Sequence, residues 1–174
     1  RELLDLIFTM MRAEGEPGFV NLEEANRRRP NAKGVNPCAE ILLDSFGVCN
    51  LTTINVAQFV RDGKIDWPEL LKAQRRSVRA GLRMTLAELE LPHWNAIQQR
   101  DRLLGCSLTG WKDAMSQIDA DEDLENIAKQ WLRDIAHAEA IRYAKKLRVA
   151  PPLLVTTIKP EGTLSQVAGG VSNG

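Results

Sequence analysis

Apolar residues recur at helical spacing over the first thirteen positions, where Leu3, Leu4, Ile7, Met10 and Met11 share a face, and Gly15-Glu16-Pro17-Gly18 then punctuates the chain. The polar stretch from Asn21 to Gly34 reads as a solvated loop, with the basic run Arg27-Arg28-Arg29 at its surface. Val35 to Leu43 and Val48 to Val56 read as two short extended segments around Asp44-Ser45-Phe46-Gly47, a turn by composition. Asp66, Pro68 and Glu69 supply the cap, early proline and third-position acid that open a helix. Leu71, Val78, Leu82 and Leu86 carry its apolar face to about Leu89.

Leu103 to Leu108 is a short apolar run closed by Thr109-Gly110. From about Asp119 to Leu147, a face of Leu124, Ile127, Ala128, Trp131, Ile135, Ala138 and Ile141 predicts a long buried helix, which Pro151-Pro152 ends. Leu153 to Ile158 is β-branched and apolar and predicts a buried strand running into Lys159-Pro160-Glu161-Gly162-Thr163-Leu164-Ser165, a turn that opens a helix. Strands alternating with long helices predict an α/β architecture, a mainly parallel sheet or barrel with helices outside.

Composition narrows this picture little. At 174 residues, 44% apolar and with zero formal charge, the chain has the length of one domain and no electrostatic mark of nucleic-acid or membrane binding. No apolar stretch approaches the roughly 20 residues of a bilayer span, and no charged leader precedes a hydrophobic segment, so a soluble cytoplasmic protein is expected. Three cysteines without a Cys-x-x-Cys pair argue against a secreted disulfide framework and against a zinc site, and no metal-ligand set is assigned. The chain begins inside a helix without a methionine and stops in a loop-like Gly169-Gly170-Val171-Ser172-Asn173-Gly174; a piece of a larger protein is expected. His93, His137 and the tryptophans Trp67, Trp94, Trp111 and Trp131 are read as surface or packing residues.

The chemistry concentrates in Asn36, Cys38 and Glu40. At i, i+2 and i+4 they would project from one side of an extended segment. A thiol flanked by a hydrogen-bonding amide and a proton-transferring carboxylate suits a reactive site, against the plainer reading of an inert core cysteine. Near the end of the chain, a turn opening a helix after a strand presents free N–H groups at the positive end of a helix dipole, where phosphate binds. Gly162, Thr163, Leu164 and Ser165 are the candidate donors; alone, they make an ordinary strand-to-helix turn. Glu161 is expected to face away from any phosphate, and Cys106 to be a buried core thiol.

Asn36-Pro37-Cys38-Ala39-Glu40-Ile41, then Cys49-Asn50-Leu51, then Thr157-Ile158-Lys159-Pro160-Glu161-Gly162-Thr163-Leu164-Ser165, closely resemble, in that order, the catalytic subunit of ribonucleotide reductases. The Pro-Cys and Lys-Pro-x-Gly-Thr forms are most similar to the adenosylcobalamin-dependent class. The resemblance implies that residues 1–174 are a fragment of a single ten-stranded α/β barrel with Cys38 on a central finger loop. It implies an enzyme that makes deoxyribonucleotides, with adenosylcobalamin as cofactor and Cys38 as the radical thiol. Glu40 would take the 3′-hydroxyl proton, Asn36 would hold a sugar hydroxyl, and Cys49 would be a reducing thiol whose disulfide partner matches no residue here. Gly162, Thr163, Leu164 and Ser165 would cradle the substrate phosphate. Implied partners are a ribonucleotide di- or triphosphate, a thioredoxin-type reductant and, in the full-length protein, a nucleotide effector. The alternatives are a class I-type large subunit served by a separate metal-containing radical subunit, and an inactive, truncated nucleotide-binding remnant.

Overall fold

Side-chain caps start three of the α-helices in the computed structural model, which describes residues 1–173. Helix α1 (Glu2–Glu14) stops at Gly15, whose left-handed backbone, φ 76°, returns its N–H to the Met11 carbonyl. Helix α2 (Leu22–Arg28) occupies part of the stretch expected to be a loop. Asn21 Oδ1 caps it through the Glu24 N–H at 3.0 Å, and Glu24 pairs with Arg27 and Arg28 one turn on. Helix α3 (Trp67–Met84) is capped by Asp66 and has Pro68 in its first turn, and it ends before Leu89. Helices α4 (Pro92–Asp101) and α5 (Trp111–Gln117) flank a strand, and the long α6 (Glu122–Leu147) starts at the Asp121 cap.

The strands are β1 (Gly34–Val35), β2 (Leu42–Leu43), β3 (Asn50–Asn55), β4 (Val60–Arg61), β5 (Lys64–Ile65) and β6 (Leu104–Thr109). β1 and β2 form an antiparallel hairpin, as do β4 and β5. β3 and β6 run parallel from Asn50↔Leu104 to Asn55↔Thr109, with α3 in the crossover between them. Residues 153–157 lie parallel along the other edge of β6. Leu104 N–H donates to Leu154 O at 3.0 Å, Cys106 N–H to Val155 O at 2.9 Å, and Thr157 N–H to Cys106 O at 3.2 Å. This is the strand expected at Leu153–Ile158, with a difference: only its β6 side is paired, and Leu153 and Ile158 are exposed.

Helices α3 and α6 cover one face of this sheet. Val78, Leu82, Leu104, Cys106, Ala136, Ala140, Tyr143 and Val155 form one core cluster, and Ile54, Leu70, Leu108, Trp111, Met115 and Leu132 anchor another. The buried side of α6 differs from the expected one. Ala128, Leu132, Ala136, Ala140 and Ala144 face inward, while Leu124, Ile127, Trp131 and Ile141 are exposed. Small side chains let α6 approach α3 closely, and Glu139 pairs there with Arg79 at 2.5 Å and Arg142 at 2.7 Å. Among the described residues no helix is long and apolar enough to cross a membrane.

Candidate active site

Strand alternation places Leu104 and Cys106 on the helix-covered face of the sheet and Gly105 on the opposite face. The β1–β2 hairpin covers that opposite face. A Cβ at Gly105 would collide with Leu51 Cδ2 and meet Ile41 Cδ1 and Thr157 Cγ2 at 3.1 Å each, so glycine permits β3, the hairpin and the 153–157 segment to converge.

The residues between β1 and β2 form a turn, which corrects the expected extended run. Asn36 O accepts from Ala39 N–H at 2.9 Å, Asn36 N–H donates to Ile41 O at 3.2 Å, and Asn36 Oδ1 accepts from Ile41 N–H at 2.9 Å. Pro37 has no N–H to contribute to a ladder, and Ala39 sits at φ 61°, so period-two alternation does not apply. Cys38 is exposed at the apex, Glu40 is half-buried, and Asn36 is buried with its amide oxygen holding the turn closed.

Glu40 is the hinge between this tip and the rest of the site. Its backbone carbonyl accepts from Thr157 Oγ1 at 2.7 Å, and its carboxylate Oε2 is buried with no hydrogen-bond partner among the described residues. It borders a cleft of about 430 Å³ that also presents Arg28, Arg133, His137 and Thr156. Cys49, half-buried just before β3, has its thiol pushed up by burial first and then by the negative charge of Glu40, with Lys159 pulling the other way. Glu40, Cys49 and Lys159 therefore share one electrostatic neighbourhood, to which Cys38 also contributes. Cys106 is buried on the helix side, where burial raises its thiol against hydrogen bonds from Thr52 and Ser77.

The far end of the same face is polar. Lys159 N–H donates to Ser107 Oγ at 2.9 Å, and Thr53 Oγ1 donates to Glu161 Oε1 at 2.5 Å. Lys159 Nζ lies 3.5 Å from the same carboxylate oxygen, while Glu161 Oε2 is buried without a partner among the described residues. Glu161 thus turns into the protein, whereas the following residues Gly162, Thr163 and Leu164 are exposed. Ser165 is buried: its N–H donates to Glu161 O at 2.9 Å and its hydroxyl to Asn173 Oδ1 at 2.9 Å, so it closes the turn from within. The helix that follows, α7 (Leu164–Val167), has four residues and brings little dipole.

Sequence reasoning did not single out Thr157 as a tether, Gly105 as a point of closest approach, or the buried Arg29. The glycine inside the apolar run Leu103–Leu108 was a usable signal, because a glycine within a strand marks close backbone approach. Arg29 was hidden in a basic run whose other members, Arg27 and Arg28, are exposed.

Parallel strands backed by helices on one face, with a thiol-bearing hairpin on the other, define an α/β domain. A family model described as "Ribonucleotide reductase, barrel domain" matches residues 1–140, and the chain belongs to that family. Among curated relatives, the putative adenosylcobalamin-dependent ribonucleoside-triphosphate reductase of Mycobacterium phage D29 is 32% identical over 92% of this chain and 24% of its own length. The vitamin B12-dependent ribonucleoside-diphosphate reductase of Mycobacterium tuberculosis is 27% identical over 97% of this chain and 28% of its own. The chain therefore spans about a quarter of the length of these relatives. In fold it is similar to a B12-dependent (class II) ribonucleotide reductase, with TM-score 0.79 and 23% identity over 97% of this chain and 28% of that one. It is also similar to the Actinobacillus ureae class Id ribonucleotide reductase alpha subunit, with TM-score 0.75 and 20% identity over 99% and 38% of the two chains.

Proposed function

We propose that this chain forms part of the catalytic barrel of an adenosylcobalamin-dependent ribonucleotide reductase, with the β1–β2 turn as the finger loop of a ten-stranded barrel. The observation that carries the reading is the hairpin turn itself: an exposed thiol, Cys38, two residues from Glu40, whose carboxylate has a buried oxygen without a partner among the described residues. The names of the curated relatives favour the cobalamin class.

Radical chemistry exceeds what ordinary side chains can initiate, and adenosylcobalamin supplies the initiating radical when bound. No group of the described residues forms a recognisable corrin cradle; what the chain offers toward the cofactor is the exposed Cys38 thiol. As a thiyl, Cys38 takes the 3′ hydrogen of a ribonucleotide: the C–H bond breaks and S–H re-forms. Glu40 accepts the 3′-hydroxyl proton, a role that suits its unpartnered oxygen. Asn36 has its Oδ1 occupied by the Ile41 N–H, which leaves Nδ2 to donate to a sugar hydroxyl. The 2′ hydroxyl leaves as water with one thiol proton, C2′ receives the other thiol hydrogen as Cys49 and a second thiol close to a disulfide, and Cys38 returns its hydrogen to C3′, which restores the thiyl. The backbone N–H groups of the exposed residues Gly162, Thr163 and Leu164 receive phosphate oxygens, with Ser165 bracing the turn.

A class I-type large subunit is the second reading, favoured by the likeness to the class Id fold. Rapid-freeze electron paramagnetic resonance separates the two. Full-length protein is mixed with adenosylcobalamin, ribonucleotide and a dithiol, with Cys38→Ser as control. A cobalt(II)–thiyl coupled signal that requires Cys38 supports the cobalamin class. Silence from a folded, nucleotide-binding protein overturns it in favour of another radical generator or an inactive remnant.

A further inference from the structure

Away from the thiols, one charged cluster with a buried ion pair at its centre joins the β1–β2 hairpin, the end of α4 and the start of the 153–157 segment. Arg29 and Asp101 are 4% and 5% exposed, and Arg29 Nη2 donates to Asp101 Oδ2 at 2.7 Å. The other arm of the same guanidinium, Nη1, donates to the carbonyl of Leu42, the β2 residue two positions after Glu40. Asp101 in turn accepts from Arg100 Nε at 2.6 Å, and Arg100 Nη2 reaches Asp44 Oδ2 at 2.8 Å, just beyond the hairpin. The backbone carbonyl of Asp101 accepts the N–H of Leu153 at 2.9 Å, where the segment that leads to Lys159 and Gly162 begins.

Each contact has a clear physical sense. A guanidinium is a planar fork, so two arms fixed on two acceptors define the position of both acceptors relative to each other. One acceptor here is the hairpin backbone and the other is the last residue of α4, three positions before β6 begins. A buried ion pair is a poor source of net stability, because desolvation offsets much of the attraction; its commoner use is to specify one arrangement among several. A surface residue in the Arg27–Arg29 run would do neither.

We infer that Arg29 and Asp101 are positioning residues for the proposed reaction. The pair holds the turn bearing Cys38 and Glu40 in fixed register with the 153–157 segment, so that thiol, carboxylate and phosphate-facing turn meet the substrate together. Thr157, through its bond to the Glu40 carbonyl, is the second point of attachment. Lysine at position 29 can meet one acceptor but not both with fork geometry, which makes it the diagnostic replacement. This inference rests on the reductase reading for its catalytic consequence, while the clamp itself is open to direct measurement.

The test uses full-length protein, with Arg29→Gln and Arg29→Lys, read by amide hydrogen exchange and steady-state kinetics. In Arg29→Gln, the N–H groups of Ala39 and Ile41 should exchange at least about tenfold faster, while those of Leu104 and Cys106 in β6 stay within about twofold. The kcat should fall at least about tenfold with KM for ribonucleotide within about twofold, because misplacement of a reacting group costs rate rather than ground-state binding. Arg29→Lys should fall between Arg29→Gln and the parent on both readouts. Unchanged turn exchange in Arg29→Gln overturns the inference, and so does equal acceleration in β6, which would mark a merely stabilising pair. If Arg29→Gln does not fold, Arg29→Lys decides: parent-like exchange and kcat overturn the inference. A parent protein that exchanges normally but shows no ribonucleotide reduction defeats the functional reading alone, and the exchange result then stands or falls by itself.

Discussion

Thr157 donates its hydroxyl to the backbone carbonyl of Glu40 at 2.7 Å, across 117 positions of sequence. That single bond joins the two regions in which the sequence concentrated its chemistry. It also fixes the Glu40 backbone, while one carboxylate oxygen has no hydrogen-bond partner among the described residues.

Glu40→Gln keeps the size of the side chain and removes its basicity. The expected outcome is a loss in kcat of about 10²–10⁴-fold in the full-length enzyme with nucleotide affinity nearly unchanged, since that is the usual contribution of a positioned general base. Steady-state kinetics alongside equilibrium dialysis of the nucleotide check it. Near-normal kcat would remove Glu40 from the proton-transfer role.

The same substitution has an effect on Cys49 that does not depend on turnover. Burial and then the Glu40 charge hold the Cys49 thiol above its ordinary range, so it stays protonated at neutral pH. Alkylation of Cys49, followed by mass spectrometry, should therefore climb only at strongly alkaline pH in the parent protein. In Glu40→Gln the negative charge is gone, the Cys49 pKa falls, and the alkylation profile moves to lower pH. An unmoved profile would mean that Glu40 and Cys49 do not sense each other.

Gly105→Ala tests the convergence at the centre of the site. The added methyl would overlap Leu51 and crowd Ile41 and Thr157. A loss of about 1–3 kcal/mol in stability is expected from overpacking, measured by urea denaturation. Truncating Leu51 to alanine in the same protein should recover part of that loss.

Glu139 supplies an acid-sensitive contact between α3 and α6. Burial alone would raise its carboxyl, but hydrogen bonds from Arg142 and Arg79 outweigh burial and hold it below the usual value of 4.5. A depressed folded-state pKa stabilises the fold above the unfolded carboxylate range, and that contribution disappears as pH falls through the folded value. The stability gap between parent and Glu139→Gln should therefore be widest near neutrality and close in acid. Urea midpoints taken from pH 7 downward would reveal this, and a gap independent of pH would refute it.

How much of this was legible in the sequence varied with the range of the interaction. The cap at Asp66, the helical spacing from about Asp119, the apolar run before Thr109-Gly110 and the breaker at Pro151-Pro152 are local signals, and the elements they predict are present. The face of α6 was misread because bulk was taken as the mark of burial, whereas the partner helix α3 selects small alanines. Helix α2 was missed because its stabilisation lies in Asn21 and Glu24 side chains rather than in an apolar stripe. The extended reading of residues 36–40 failed at Ala39, where a left-handed backbone cannot be inferred from an alanine. The motif residues themselves were recognisable by type and order. The tethers that arrange them, Arg29–Asp101 and Thr157–Glu40, span 72 and 117 positions and leave no local trace.

The bare face of Gly105 has an evolutionary corollary. Ile41, Leu51 and Thr157 belong to three different segments, the last more than a hundred positions from the other two, yet each spends its terminal carbon against the same missing side chain. A lineage that acquires a methyl group at 105 must shed bulk at one of the other three in the same step or soon after. Among related chains these four positions should drift as a linked set, with their summed side-chain volume varying less than any one of them alone.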